Sequence, residues 1–413
     1  MKLEIDSGLL SAELQTLAGF SDAPAPAVTR IVFSEQDRRA REYVKGLCLA
    51  VDLRVREDAV GNTFARWEGS DPALPAVGTG SHIDAIPHAG RYDGTVGVLG
   101  GLEAIRALQR AGVRPRRSIE LLIFSAEEPT RFGIGCFSSR MLAGLLDGSG
   151  LRDRDGKTLD ELRFAAGFHG DLASVPLSPG YYAAFLELHI EQGPLLERSG
   201  IPLGVVTAIA APASFKVIVE GEGGHAGALL MPDRHDALCA AAELVLAVES
   251  AARSTGSENT VGTVGVCEVF PGAVNSVPSI VQMEVDVRDT ESVRRDGVLT
   301  GIQRAAKEIS SRRGVAIRIE MVNADRPAVC DPGVVEAVIR AAATHGLPYQ
   351  KMVSRAYHDS LFMSHIAPVA MLFIPCRDGV SHRPDEYASP KAIAAGTLVL
   401  AEALGELAAG AGD

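Results

Sequence analysis

An α/β chain in two domains is predicted: a catalytic domain built on a central, mostly parallel sheet flanked by helices, and a smaller inserted α+β domain. Three observations predict it. Strand-like and helix-like stretches alternate through the first half of the chain. Residues 118–125, SIELLIFS, form a continuous apolar run, the kind buried on both faces of a parallel sheet. Residues 211–325 follow the order β-α-β-β-α-β, which fits a compact ferredoxin-like unit. At 413 residues the chain also exceeds what one hydrophobic core usually supports.

Residues 76–81 read as a short strand leading into His82. Residues 94–111 read as a helix with Leu99, Leu102, Ile105 and Leu108 on one face. The strand 118–125 follows, then FLELH at 185–189, another strand that ends in polar residues. Residues 214–220, SFKVIVE, alternate like a half-buried strand, and 236–250 is an Ala- and Leu-rich helix. Strands at 260–269 and 281–288, a helix at 293–312 and a strand at 315–321 complete the insert. After Pro327 the chain returns to a helix at 334–345 and a strand at 369–375 that leads to His382. The expected boundaries are 1–210 plus 326–413 for the outer domain and 211–325 for the insert.

The net charge of −12 argues against a nucleic-acid partner, which selects a basic face. No apolar run approaches the ~20 residues that span a bilayer, so no membrane partner is expected. The start, MKLEIDSGLL, lacks the basic and apolar stretches of a secretory signal, and the six cysteines form no CxxC pair. A cytoplasmic protein with reduced, buried thiols is expected.

Histidines and carboxylates gather at the predicted strand ends, where open α/β sheets place their ligands. The segments are SHID with His82 and Asp84, RYDG with Asp93, SAEEP with Glu127 and Glu128, LELHIEQGP with His189, and GVSHRP with His382. Singly, each is most simply an ordinary hydrogen-bonded residue. Together, imidazoles and carboxylates make a borderline donor set suited to zinc, manganese or cobalt. A bridging Asp would hold two metals about 3.5–4 Å apart. Asp84, two residues beyond His82 on an extended segment, can orient the imidazole. Asp93 precedes a helix whose dipole favours an anion. Glu127 and Glu128 are adjacent and must point in different directions, so one can bind metal while the other faces a water.

SHIDAIPHAGRYDG, FSAEEPTRFG, LELHIEQGP, GGHAG and SHRPDEYAS together resemble the hydantoinase/carbamoylase-type amidohydrolases of the aminoacylase and di-metal carboxypeptidase superfamily. The resemblance runs from about residue 12 to 405. It implies two divalent ions per subunit, Mn2+ or Zn2+, held by His82, Asp93, Glu128, His189 and His382, with Asp93 bridging. Glu127 matches the general base. His225 in GEGGHAG, Asn275 in PGAVNSVP and Arg288 in VDVRD match residues that bind the substrate's carboxylate and carbonyl oxygen, and His225 is also expected to act in catalysis. Gln192 and His358 are further expected substrate contacts. A homodimer is implied, in which the residue matching His225 can reach the neighbouring subunit's site.

The family includes N-carbamoyl-L-amino acid hydrolases, allantoate amidohydrolases and ureidoglycolate amidohydrolases. AAPAS, HAGALLMP, SRAYHDSLFM and FIPC look most like the last branch. Tyr357 would narrow the pocket beside His358. A small ureido carboxylate is the expected substrate, and an N-carbamoyl-L-amino acid or allantoate is the alternative. A binding or scaffold protein that keeps the fold would have lost ligands, and all five positions are present.

Overall fold

The structure, a computed structural model, describes residues 3–409. The chain divides into two compact units. One holds the chain up to Thr207, Val329–Ser354 and the chain from His358 onward; the other holds Ala208–Ala328 and Arg355–Tyr357.

The first unit is built on a mixed sheet in the order Leu203–Ile209, Val369–Ile374, Tyr182–Ile190, Ala76–His82, Ile119–Phe124, Thr63–Trp67, Arg54–Glu57. Its four central strands, from Val369–Ile374 to Ile119–Phe124, run parallel. The flanking strands are antiparallel. Three of the four central strands are buried at every position, which explains why they read as unbroken apolar runs rather than alternating ones.

Helices Thr95–Arg110, Pro332–Thr344 and Pro390–Ala409 pack on one another and on one face of this sheet. Helix Thr95–Arg110 lies so close that a Cβ on Gly97 would meet the Leu188 carbonyl oxygen at 2.4 Å. On the opposite face Leu122, Phe124, Phe137, Met141, Phe185 and Met363 form a second core.

Helix Pro390–Ala409 departs from the sequence expectation. At 20 residues it is long and apolar enough, by length and composition alone, to cross a membrane. Here Ile393, Val399, Leu400 and Leu404 are buried and the helix packs on Thr95–Arg110 and Pro332–Thr344. Two N-terminal helices, Ser7–Ala18 and Glu35–Leu49, also fall outside the sequence outline.

The second unit is a four-stranded antiparallel sheet in the order Val261–Phe270, Ile280–Asp289, Ala211–Glu220, Ala316–Ala324. Helices Ala237–Ser254 and Ser292–Arg313 pack together against it. Phe215, Val217, Val219, Val281, Met283 and Val285 meet Leu244, Val248, Val298 and Ile302 in a separate core. The strand order is the ferredoxin-like one, as the β-α-β-β-α-β sequence implied.

Candidate metal centre

The carboxyl ends of the four parallel strands carry the cluster. His82 closes its strand, His189 is the penultimate residue of Tyr182–Ile190, Glu127 and Glu128 follow Ile119–Phe124, and His382 lies in the loop after Val369–Ile374. Asp93 sits one residue before the Gly94 cap of helix Thr95–Arg110. One carboxylate oxygen of Asp93, Oδ1, lies 3.5 Å from His82 Nε2 and 3.2 Å from His189 Nε2. The other, Oδ2, lies 3.3 Å from His382 Nε2, which is itself 3.4 Å from Glu128 Oε1. Among the described residues two possible donor groups share Asp93, namely His82, Asp93 and His189, and Asp93, Glu128 and His382; a third, Glu187, His189 and His358, shares His189 with the first.

These residues fit a divalent metal. Separations near 3.3 Å match the edge of a tetrahedron whose donors lie about 2.0–2.1 Å from its centre. The outer ring nitrogens point away from the cluster as well. His82 Nδ1 is 3.0 Å from the Asp84 carbonyl oxygen, and His189 Nδ1 is 2.9 Å from the Ile190 carbonyl oxygen. With a metal bound, such bonds would keep the proton on Nδ1 and leave the Nε2 lone pair free for the ion. Consistently, the Gly94 N–H donates to His189 Nε2 at 3.1 Å.

The electrostatics have the same cause. Burial opposes charge on Asp93, yet the bonds to His189, His382 and His82 hold its carboxyl well below the usual range. The bond to Asp93 pushes His382 up to about 9, against burial. Burial lifts Glu128 to about 7, with the neighbouring Asp93 charge adding to it. Metal-free protein therefore carries protons on His382 and in part on Glu128 near neutral pH, neighbouring carboxylates raise His82 and His189 as well against burial, and ligation needs these groups deprotonated. Cation uptake should release protons, and affinity should fall as pH drops below about 9. Titration calorimetry in buffers of differing ionisation enthalpy measures this; a buffer-independent heat would count against it.

Glu127 turns the other way from Glu128. Its Oε2 lies 3.8 Å from His82 Nε2, and its Oε1 accepts from the Cys136 thiol at 3.2 Å. The Cys136 N–H donates to the Glu127 carbonyl at 2.6 Å, and the Phe137 N–H donates to the Ala126 carbonyl at 2.9 Å. Burial pushes the Glu127 carboxyl well above its ordinary range, with His82 opposing and Glu128 reinforcing the shift.

Cys136 was expected to be only a small apolar filler. Instead it fixes one oxygen of Glu127 and leaves the other toward His82. Replacing Cys136 with Ala should lower kcat about fivefold with KM little changed, the loss of one weak hydrogen bond of about 1 kcal/mol. Cys136→Ser should recover part of it, and an unchanged kcat in Cys136→Ala would refute the role. Cys239 and Cys267 also depart from expectation, since both are exposed.

Two expected site residues make close contacts within the cluster. The Asp84 carboxylate is not the closest partner of His82, because on this extended segment the backbone carbonyl comes nearer, with Oδ1 at 3.5 Å. Its oxygens also accept from the N–H groups of Glu127 and Glu128 at 3.2 and 3.1 Å, so Asp84 shapes the base loop as well. Gln192, expected to contact substrate, donates from Nε2 to Asp93 Oδ2 at 2.7 Å. His358 is buried, its ring centroid 4.5 Å from that of His189.

Sequence reasoning passed over Ser381 and Glu386. Ser381 Oγ lies 2.7 Å from Asp93 Oδ2 and 2.8 Å from Glu386 Oε2. Backbone strain concentrates in the same loops. Of the eight non-glycine residues with positive φ among the described residues, four flank or form the cluster: Ala126, Cys136, Gln192 and His382.

His225, Asn275, Arg288 and Tyr357 belong to the second unit. His225 is exposed and its Nδ1 accepts from the Gly227 N–H at 3.1 Å. Asn275, also exposed, accepts at its carbonyl from the Ala226 N–H at 2.9 Å. Arg288 Nε donates to Asp286 Oδ1 at 2.7 Å. The Tyr357 hydroxyl is bonded to the Asp325 carboxylate.

Comparison with known proteins identifies the family. The sequence model of peptidase family M20/M25/M40 matches residues 78–406. A ureidoglycolate hydrolase from Oryza sativa subsp. japonica is 52% identical over 98% of this chain and 85% of its own length. An N-carbamoyl-L-amino acid amidohydrolase from Geobacillus stearothermophilus is 38% identical over 96% of this chain and 97% of its own. The crystal structure of AtUAH in complex with glyoxylate superposes with a TM-score of 0.90 at 51% identity, covering 98% of both chains. Aligned with hydrolases along nearly its whole length and carrying a metal-binding donor set at its strand ends, this chain is a hydrolase and belongs to peptidase family M20/M25/M40.

Proposed function

We propose that the chain hydrolyses the ureido group of ureidoglycolate, releasing ammonia and carbon dioxide and leaving hydroxyglycine, whose C–N bond then breaks to give glyoxylate and a second ammonia, with two divalent ions, manganese or zinc, as cofactors. The observation that carries this is the 52% identity to a ureidoglycolate hydrolase along 98% of the chain, with a donor set divided into two groups around Asp93. His82, Asp93 and His189 would hold one ion, and Asp93, Glu128 and His382 the other. Bound there, such ions supply Lewis-acid polarisation of the ureido carbonyl and a more acidic water.

The chain's own groups do the rest. Glu127 takes a proton from the attacking water at Oε2 and returns it to the leaving nitrogen. Cys136 holds Oε1 so that Oε2 keeps its aim. Arg288 binds the substrate carboxylate, exchanging its bond to Asp286 for a bidentate one, and Asn275 and His225 donate to the substrate's oxygen atoms. A cytoplasmic homodimer belongs to the same proposal; a monomeric mass by light scattering at working concentration would remove the dimer from it.

The test is a substrate panel with ammonia detection on metal-reconstituted protein: ureidoglycolate, N-carbamoyl-L-amino acids, allantoate and a dipeptide. Ureidoglycolate should give the highest kcat/KM, and a higher value for any other member would overturn the assignment. Arg288→Ala should lower kcat/KM on ureidoglycolate by about 10–100-fold, the loss of a charge-assisted pair of about 1.5–3 kcal/mol, with metal content unchanged. Undiminished kcat/KM in this variant would exclude Arg288 from carboxylate recognition.

A further inference from the structure

Glu386 is a buried carboxylate placed between two loops that carry metal donors, and nothing in the reaction outlined above uses it. Its Oε1 accepts from the N–H groups of Tyr92 and Asp93 at 2.8 and 3.1 Å. Its Oε2 is 2.8 Å from Ser381 Oγ, next to His382 in sequence. That same hydroxyl is 2.7 Å from Asp93 Oδ2, so its single proton is shared between two carboxylates. The chain wraps the carboxylate tightly: a Cβ on Gly90 would lie 2.4 Å from its atoms. One side chain therefore ties the turn before Asp93 to the loop of His382, segments almost 300 residues apart in sequence.

The other half of the centre has separate supports. His82 and His189 stand on parallel strands, their Nδ1 atoms are fixed by the carbonyls of Asp84 and Ile190, and Gly94 N–H ties His189 to the Asp93 turn. His382 has no strand beneath it. It lies in a loop with φ of 60°, and its side chain is 45% exposed.

We propose that Glu386 is a positioning residue for one half of the metal centre: its carboxylate sets the placement of His382 against Asp93 Oδ2, and with it the affinity of the Asp93–Glu128–His382 half, while the His82–Asp93–His189 half depends on it much less. This rests on the two-ion reading above.

The experiment is calorimetric titration of metal-free protein with Mn2+ or Zn2+, with thermal unfolding as the check on folding. Wild type should show two binding events. Glu386→Ala should weaken one event by about 10–100-fold, the range for outer partners of metal ligands, and leave the other within about threefold. Glu386→Gln keeps one oxygen for the two N–H groups and places an amide beside Ser381 Oγ, so it should restore most of the lost affinity. Ser381→Ala removes the link between the two carboxylates with little change in volume. It should weaken the same event, and it carries the test if Glu386→Ala does not fold. Two wild-type events that stay unchanged in Glu386→Ala and Ser381→Ala, or that weaken equally, would overturn this inference alone. A single ion per wild-type chain would overturn the two-ion reading and this inference with it.

Discussion

Glu127→Gln should retain full metal content and lose turnover by ~10²–10⁴-fold, the usual cost of removing a general base. The amide has the same shape and still offers an oxygen to the Cys136 thiol, so the bond at 3.2 Å can persist. What it cannot do is accept a proton at neutral pH. Glu127 suits that task because burial lifts its carboxyl well above the ordinary range, His82 opposes the shift and Glu128 adds to it. The geometry separates the two adjacent glutamates: Glu128 Oε1 faces His382, and Glu127 Oε2 faces His82 from the other side. Elemental analysis and steady-state kinetics on one preparation decide it. Near-normal turnover at full metal content would exclude Glu127 as the base.

Asp93→Ala should be more damaging still, reducing activity to background and metal content below that of any other single variant. Asp93 is the only residue common to the two donor groups, with Oδ1 toward His82 and His189 and Oδ2 toward His382. It also receives Gln192 Nε2 and Ser381 Oγ, both at 2.7 Å, so its removal takes this acceptor from Gln192 and leaves Ser381 to Glu386 alone. The affinity loss should exceed the 10–100-fold typical of outer partners, because a direct donor disappears. A variant that still binds metal with wild-type stoichiometry and affinity would show that Asp93 does not bridge.

The parallel core was legible because strands buried on both faces must be apolar throughout, and SIELLIFS and the residues before Pro375 have no other good place to go. The insert was legible from its order of elements and from alternation, as in Ile280–Asp289, where every second side chain is buried. The polar residues at the strand ends were legible as a group because an apolar strand that ends in His or Glu is locally inconsistent unless something uses the charge.

The supports of the site were not legible. The sequence outline did not include helix Glu35–Leu49, in which Asp37 and Arg41 form a buried pair and Arg41 bonds to the Gly61 and Phe124 carbonyls. Cys136, Ser381 and Glu386 act through contacts that no local pattern encodes: Glu386 meets Asp93 only once the whole sheet has assembled. Asp84 was read as a partner of the nearest ring, and the competition between its carboxylate and its own carbonyl is a matter of tenths of an ångström.

The position of Val369–Ile374, paired between Tyr182–Ile190 and Leu203–Ile209, has a consequence for biosynthesis. A chain emerging from the ribosome presents His82, Asp93, Glu127, Glu128 and His189 early, and then the whole second unit, whose core is its own. That unit can fold while the first sheet still lacks one of its central strands. Until residues 369–374 thread into the gap and His382 follows, the nascent chain holds an acidic, imidazole-lined cleft with one donor group unfinished. The slot between Tyr182–Ile190 and Leu203–Ile209 is filled, and the Asp93–Glu128 group gains its imidazole, only once residues 369–382 have emerged.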